Sequence, residues 1–394
     1  MKLKNFGFLL FAIFFGVAPR LSWADGGSMQ DIRRLVVSGL GPGAMGATPG
    51  SSMVSLYGTV DIGLDYTRGE QGSSKRVLSN NAWTSKVGLY GEEYLGEGWS
   101  AYFRLEAGFN PDTGAMQSAS SFFNRGSYVG ISNKEWGSLS LGKQLSGATA
   151  LAIGADPFLA TGHQSIYSYL AAYRDLGYGA SVDSNRINDS ISYSSPIIAG
   201  SLGFNAFYAL KGLPGSGPKT HNRAVSMFYS GGKTFASVSL SQNWCDPIAT
   251  STTPCISDNI VEPTVRTDNF LVSAMQDFGP FTGSAVYMQT RPQSPGSATA
   301  KLYLLGAQKL VGRHLLRATV GYRGTSIAGN HAWGLTVGDD YYLSKRTALY
   351  GRWGTLRNGP NSSLTYNYEA ANKFPAPSVG GVVSGFTVGI THHF

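Results

Sequence analysis

Val54-Ser55-Leu56-Tyr57-Gly58-Thr59-Val60-Asp61-Ile62-Gly63-Leu64-Asp65-Tyr66-Thr67 is the stretch on which the fold turns. Val54, Leu56, Gly58, Val60, Ile62, Leu64 and Tyr66 occupy one set of alternate positions, and Ser55, Tyr57, Thr59, Asp61, Gly63, Asp65 and Thr67 the other. Period two held this long means one strand whose two faces meet different surroundings. The pattern recurs. Ala101, Phe103, Leu105 and Ala107 alternate with Tyr102, Arg104, Glu106 and Gly108, and Phe386, Val388 and Ile390 with Thr387, Gly389 and Thr391. It blurs at 223–230, 301–309 and 347–357, where both faces carry apolar residues.

Working outward, the connections between such strands alternate in length. Short ones fall at Leu95–Gly98, Asn133–Gly137, Ser195–Gly200, Ser230–Gly232, Phe278–Pro280, Leu310–Arg313 and Ser344–Arg346. Long ones fall near 68–81, 110–121, 146–184, 211–219, 244–265, 292–298, 326–331 and 359–379. Seven turns and eight loops join sixteen strands. Short turns on one side and long loops on the other mark an antiparallel barrel of the outer membrane, where closure satisfies every backbone group in lipid. Trp83, Tyr94, Trp99, Trp136, Trp333, Tyr341 and Tyr342 near strand ends are expected to form interfacial girdles. A secreted soluble sandwich would show the same alternation with its faces reversed, so periodicity alone does not decide between the two.

Composition fits many half-apolar strands. Gly is 52 of 394 residues, aromatics are 12%, and charged residues are 14%, against roughly 25% in an ordinary soluble domain. The longest apolar run, Phe6–Val17, is too short to span a bilayer as a helix. Lys2 and Lys4 precede it and Ser22-Trp23-Ala24 follows, so residues 1–24 read as a signal peptide. Residues 25–52 read as a flexible extension and 53–394 as the barrel. Gly41-Pro42-Gly43-Ala44-Met45-Gly46 matches a dinucleotide fingerprint in letters only, because Pro49-Gly50 and a strand follow instead of a helix.

The formal net charge is +8, part of it from Lys2, Lys4 and Arg20 of the leader. Without a basic cluster, it does not argue for nucleic acid; a basic pore lining is a better use. Cys245 and Cys255, in a Pro/Thr/Ser-rich stretch of an exported chain, read as a loop disulfide. The six histidines are scattered, and His392 and His393 point to opposite faces of one strand, so no metal site or other cofactor is expected. No nucleophile–His–acid set stands out.

Several segments resemble the general porins of beta-proteobacterial type: Ser55 to Asp61, Lys86 to Gly98, Leu105 to Gly114, Arg125 to Gly130, Gly137 to Gln144, Arg186 to Ile191, Tyr342 to Thr347 and Gly389 to Phe394. The resemblance implies a sixteen-stranded homotrimer with the third loop, roughly 146–184, folded into the pore. It implies a basic wall opposite loop acids, and by motif Lys86 and Arg125 hold wall positions. Alternation points both inward, and Arg186 with them. Asp156, Arg174 and Asp175 are the loop residues assigned to the constriction, with Asp156-Pro157-Phe158 as its acidic tip. A thin acidic set against a basic wall leans toward weak anion preference or an almost unselective pore. Terminal Phe394 is similar to the signal by which such barrels engage the insertion machinery. Outer-membrane lipid, lipopolysaccharide, ions and small hydrophilic solutes are the remaining expected partners.

Passive diffusion through a water-filled pore is therefore the expected function. The alternatives are a substrate-specific channel, hinted at by Tyr167, Tyr169, Tyr173 and Tyr178 in the third loop, and an outer-membrane barrel enzyme.

Overall fold

The computed structural model describes residues 52–162, 164–165, 175–177, 180–181, 186–210, 220–245, 265–366 and 378–394. Its strands are β1 (Met53–Gly69), β2 (Gly72–Ser79), β3 (Lys86–Gly96), β4 (Trp99–Gly108), β5 (Gly126–Asn133), β6 (Gly137–Gln144), β7 (Ile187–Ser194), β8 (Leu202–Leu210) and β9 (Thr220–Gly231). They continue with β10 (Thr234–Cys245), β11 (Val265–Asp277), β12 (Thr282–Pro292), β13 (Ala300–Val311), β14 (His314–Thr325), β15 (His331–Tyr342), β16 (Thr347–Asn358) and β17 (Val382–His393). A short helix, α1 (Gly147–Ala155), follows β6.

Every pairing is antiparallel, and the sheet closes where β1 meets β17, from Thr59 opposite His393 to Arg68 opposite Ser384. β2 and β3 pair with successive halves of the same edge of β1, so they form one interrupted barrel strand. The barrel therefore has sixteen strands.

The interruption at 80–85 has a local cause. The Asp61 carboxylate accepts the amides of Asn81 (2.6 Å) and Ala82 (3.1 Å), and Ser85 Oγ accepts the amide of Asp61 (2.9 Å). These bonds replace ladder bonds that the break removes.

The long connection expected at 68–81 is instead a hairpin. β1 runs on to Gly69 and β2 returns from Gly72, with Asp65 opposite Arg76 and Leu64 opposite Val77. The run 72–79 alternates as a strand should, but only Val77 gives its outer side an apolar residue, so the polar letters read as loop.

The faces decide between barrel and sandwich. Val54, Leu56 and Leu64 of β1 are 74%, 63% and 62% exposed, whereas Thr59, Asp61 and Thr67 are buried. Met227, Leu240, Leu305 and Val320 repeat the outward apolar pattern. Apolar outside and polar inside is the arrangement for lipid. The expected girdle changes in two places: Trp83 and Tyr342 are buried, and Trp83 packs edge-on against His393 at 5.3 Å. Trp83 lies in the 80–85 break, which turns it off the barrel surface. Trp136 and Tyr94 are exposed near a short turn, and Trp333 near the long-loop end.

One band of the inward face is apolar. Leu271 and Met275 of β11, Val286 and Met288 of β12, and Leu302 and Leu304 of β13 cluster with Ala155 at the end of α1. Ala148, at the other end of α1, packs with Phe207 and Ala209 of β8 and Ala224 of β9. This accounts for the blurred alternation at 223–230 and 301–309: those strands carry apolar residues inward because chain from 147–155 covers them.

Candidate functional site

Polar side chains converge on the inner wall where β1, β3, β4 and the start of β5 meet. Register brings them there: Gly88 of β3 lies opposite both Tyr57 and Glu106, and Tyr90 lies opposite Arg104. Glu106 is the hub. Its carboxylate accepts the Tyr57 hydroxyl at 2.8 Å and Arg125 Nε at 2.9 Å, and lies 4.0 Å from Lys86 Nζ. Arg186 Nε donates to the Arg125 carbonyl at 2.7 Å. The Arg104 guanidinium stands 5.6 Å from the Tyr57 ring centroid, close enough for a cation–π contact. Gly88 must lack a side chain, since a Cβ there would lie 2.4 Å from Tyr57 Cζ. Four cations around one carboxylate leave this wall positive.

A second set lies on β14, β15 and β16. Phe158, fully buried, is held between Arg352 and Arg317, whose guanidinium carbons are 5.0 and 5.9 Å from its ring centroid. Arg317 pairs with Asp340 and donates to the Pro157 carbonyl at 3.0 Å; Arg352 donates to the Asn81 carbonyl at 2.9 Å. Farther along, Arg323 grips Asp175 with both terminal nitrogens, at 2.9 and 2.6 Å, and Asn330 donates to the same carboxylate at 3.0 Å. Thr336 donates to the Gln164 carbonyl at 2.6 Å.

The residues assigned from sequence thus divide. Lys86, Arg125 and Arg186 come together. Asp175 is engaged by Arg323. Asp156 does not form a water-facing tip: it is 1% exposed and accepts the amides of Phe158 (3.0 Å) and Ala160 (2.9 Å) and the Ser165 hydroxyl (2.6 Å). Burial pushes this loop carboxyl up from the usual carboxylate range, against the pull of those donors. The turn 156–160 folds around its own acid, which is why the carboxylate is not presented outward. Arg174, the tyrosines at 167, 169, 173 and 178, and Cys255 lie outside the described residues, as does any link from Cys255 to Cys245.

Phe394 exchanges backbone hydrogen bonds with Gly58, at 2.9 and 3.1 Å, extending the β1–β17 seam. His392 and His393 point to opposite faces, toward Thr347 and Thr59 respectively.

Sequence reasoning passed over Arg104 and Glu106 as site residues, along with Arg317, Arg323 and Arg352. The parity rule that pointed Lys86 inward applies equally to them. Arg317, Thr319 and Arg323 share the buried alternation of β14.

The sequence profile of the Gram-negative porins matches residues 35–387. The chain belongs to the Gram-negative porin family. Outer membrane porin protein 32 of Delftia acidovorans is 29% identical to this porin over 363 residues, spanning 89% of this chain and 97% of that one. The solved anion-selective porin from Comamonas acidovorans is 28% identical, with a TM-score of 0.75, over 87% of this chain and all of that one. The trimer form of the Vibrio cholerae outer membrane protein OmpT shares the fold at a TM-score of 0.62 and 14% identity, over 87% of this porin. This porin is an outer-membrane β-barrel and a passive diffusion channel.

Proposed function

We propose that this porin is a general diffusion pore of weak anion preference, working as a homotrimer. The observation that carries this reading is the Glu106 cluster, in which Lys86, Arg104, Arg125 and Arg186 surround a single carboxylate on the inward face. Cations lining a passage between low-dielectric walls raise the local concentration of anions. The described part of 146–184 narrows that passage, a reading supported by the contacts of α1 with β8–β12 and of Pro157, Phe158 and Asp175 with β14–β16. Asp156 and Asp175 hold the segment in place and do not offset the basic wall. The anion-selective relative and the trimeric fold neighbour support selectivity and assembly respectively.

Planar-bilayer recording of the purified protein tests this. Large ohmic steps in groups of three are expected, with a reversal potential at zero or slightly on the anion side in a salt gradient. Absence of conductance overturns the pore; strong cation selectivity overturns the account of its lining.

A further inference from the structure

One arginine of the inner wall stands beside the Glu106 hub without being bonded into it. Arg104 of β4 points inward two residues from Glu106, about 7 Å nearer the short turns. Lys86 and Arg125 face the Glu106 carboxylate at 4.0 and 2.9 Å, and Arg186 donates to the Arg125 carbonyl. Arg104 makes no hydrogen bond and no ion pair among the described residues, and its Nε is buried without an acceptor. A buried donor of a charged group is rarely left so, and each instance asks for a reason.

The acids that flank it are already engaged. The Tyr57 hydroxyl donates to Glu106 at 2.8 Å and the Tyr90 hydroxyl to Glu92 at 2.6 Å. In register Tyr90 is opposite Arg104, and Glu92 is opposite Tyr102. Each carboxylate beside Arg104 therefore holds a phenol, and the guanidinium keeps its own donors.

What surrounds Arg104 is aromatic. Its guanidinium carbon is 5.6 Å from the Tyr57 ring centroid. Tyr128 of β5 is directly opposite it in register, and Tyr102 is two residues away on the same face. The rings of Tyr102 and Tyr128 are 6.4 Å apart at 84°, which makes a right-angled corner. Gly130 gives Tyr102 its place, since a Cβ there would lie 2.6 Å from Tyr102 Cζ. Tyr57 is buried, whereas Arg104, Tyr102 and Tyr128 are only partly so and reach the lumen.

We propose that this corner is a subsite for aromatic carboxylates, solutes of the benzoate class that cross the pore. Paired N–H donors of arginine match the two oxygens of a carboxylate. A solute ring can stack on one tyrosine and meet the edge of the other, both favoured arrangements of aromatic pairs. Arg104 and Tyr128 face each other across one inter-strand spacing, so a carboxylate joined directly to a ring spans them. A sugar is served less well, because its hydroxyls need acceptors and both nearby carboxylates are occupied. The inference rests on the reading of this chain as an anion-admitting pore and adds a solute class to it.

The test is planar-bilayer recording of the purified full-length protein in potassium chloride, with benzoate, acetate or benzyl alcohol added and each current scaled to the same channel's chloride current. Benzoate should block wild type at a concentration about fivefold below that of acetate, and benzyl alcohol should not block. Arg104→Gln should raise the half-blocking benzoate concentration more than about tenfold. Tyr128→Leu leaves every charge in place and should bring benzoate down to the level of acetate; it decides the matter should Arg104→Gln lack the heat-modifiable folded band. Equal block by benzoate and acetate in wild type, equal block by benzyl alcohol, or undiminished benzoate block in either folded variant overturns the subsite. An absence of chloride current overturns the pore and the subsite with it, whereas chloride current without a preference for benzoate overturns the subsite alone.

Discussion

Glu106 holds together a patch that would otherwise repel itself. It accepts from Tyr57 and Arg125 and stands 4.0 Å from Lys86. Removing one partner of a buried charge cluster leaves the others uncompensated, at about 3–5 kcal/mol. Glu106→Gln should therefore lower the temperature at which the folded band is lost on heating. It should also move the reversal potential further toward anions, because the wall gains net positive charge while keeping its shape. An unmoved reversal potential would mean that this patch does not face the ion path. Lys86, Arg125 and Arg186 were legible because parity depends only on neighbours in one strand, and the same parity would have reached Arg104. Asp156 was not, because its burial depends on the path of 156–165, with Ser165 and two amides closing on it. Nothing in Asp156-Pro157-Phe158 as letters distinguishes a tip from the centre of a turn.

At the scale of elements, misreadings came where one element leans on another. β2 was hidden because it has few apolar residues of its own to mark the pattern, and because the Asp61-capped break at 80–85 separates it from β3. β16 blurred because Ala348, Tyr350 and Leu356 put buried apolar groups on its inner face. The part of 146–184 that touches this wall has Phe158 as its anchor, between Arg317 and Arg352. Phe158→Ala removes a fully buried ring, a change that costs about 3–5 kcal/mol in well-packed sites. No strand ladder passes through Phe158, so the barrel's thermal transition should move little. The cost should appear in the segment itself, as added current noise and sub-conductance steps in single-channel records. A quiet channel of wild-type conductance would show that Arg323–Asp175 and Thr336–Gln164 suffice to hold it.

At the scale of the molecule, hydrophobic patterning alone left open which face was inside, and closure of the sheet resolves it. Once β1 pairs with β17, the polar row Thr59, Asp61, Asp65 and Thr67 is enclosed and Leu56 and Leu64 face outward. The closing seam joins the first strand to the last, so its formation requires the whole chain and carries the longest loop-closure cost. Gly58 lies at its end. It exchanges backbone hydrogen bonds with Phe394, and a Cβ there would lie 2.2 Å from Cζ of the Phe394 ring. Gly58→Val should therefore push the terminal ring aside and cut the yield of folded, heat-modifiable protein several-fold. Gly72→Ala, at a hairpin tip with open space around it, meets no clash; its cost is confined to local backbone strain of about 1–3 kcal/mol, so its yield should fall far less than that of Gly58→Val. Because a Cβ at Gly58 would also meet the Lys86 carbonyl oxygen at 2.7 Å, the ring is tested by its own removal: if Phe394 acts only as an assembly signal, Phe394→Ala made and folded in detergent should reach wild-type yield. If the ring also packs the seam, the yield should fall in detergent as well, where no insertion machinery is present. The contact with Gly58 favours the second outcome.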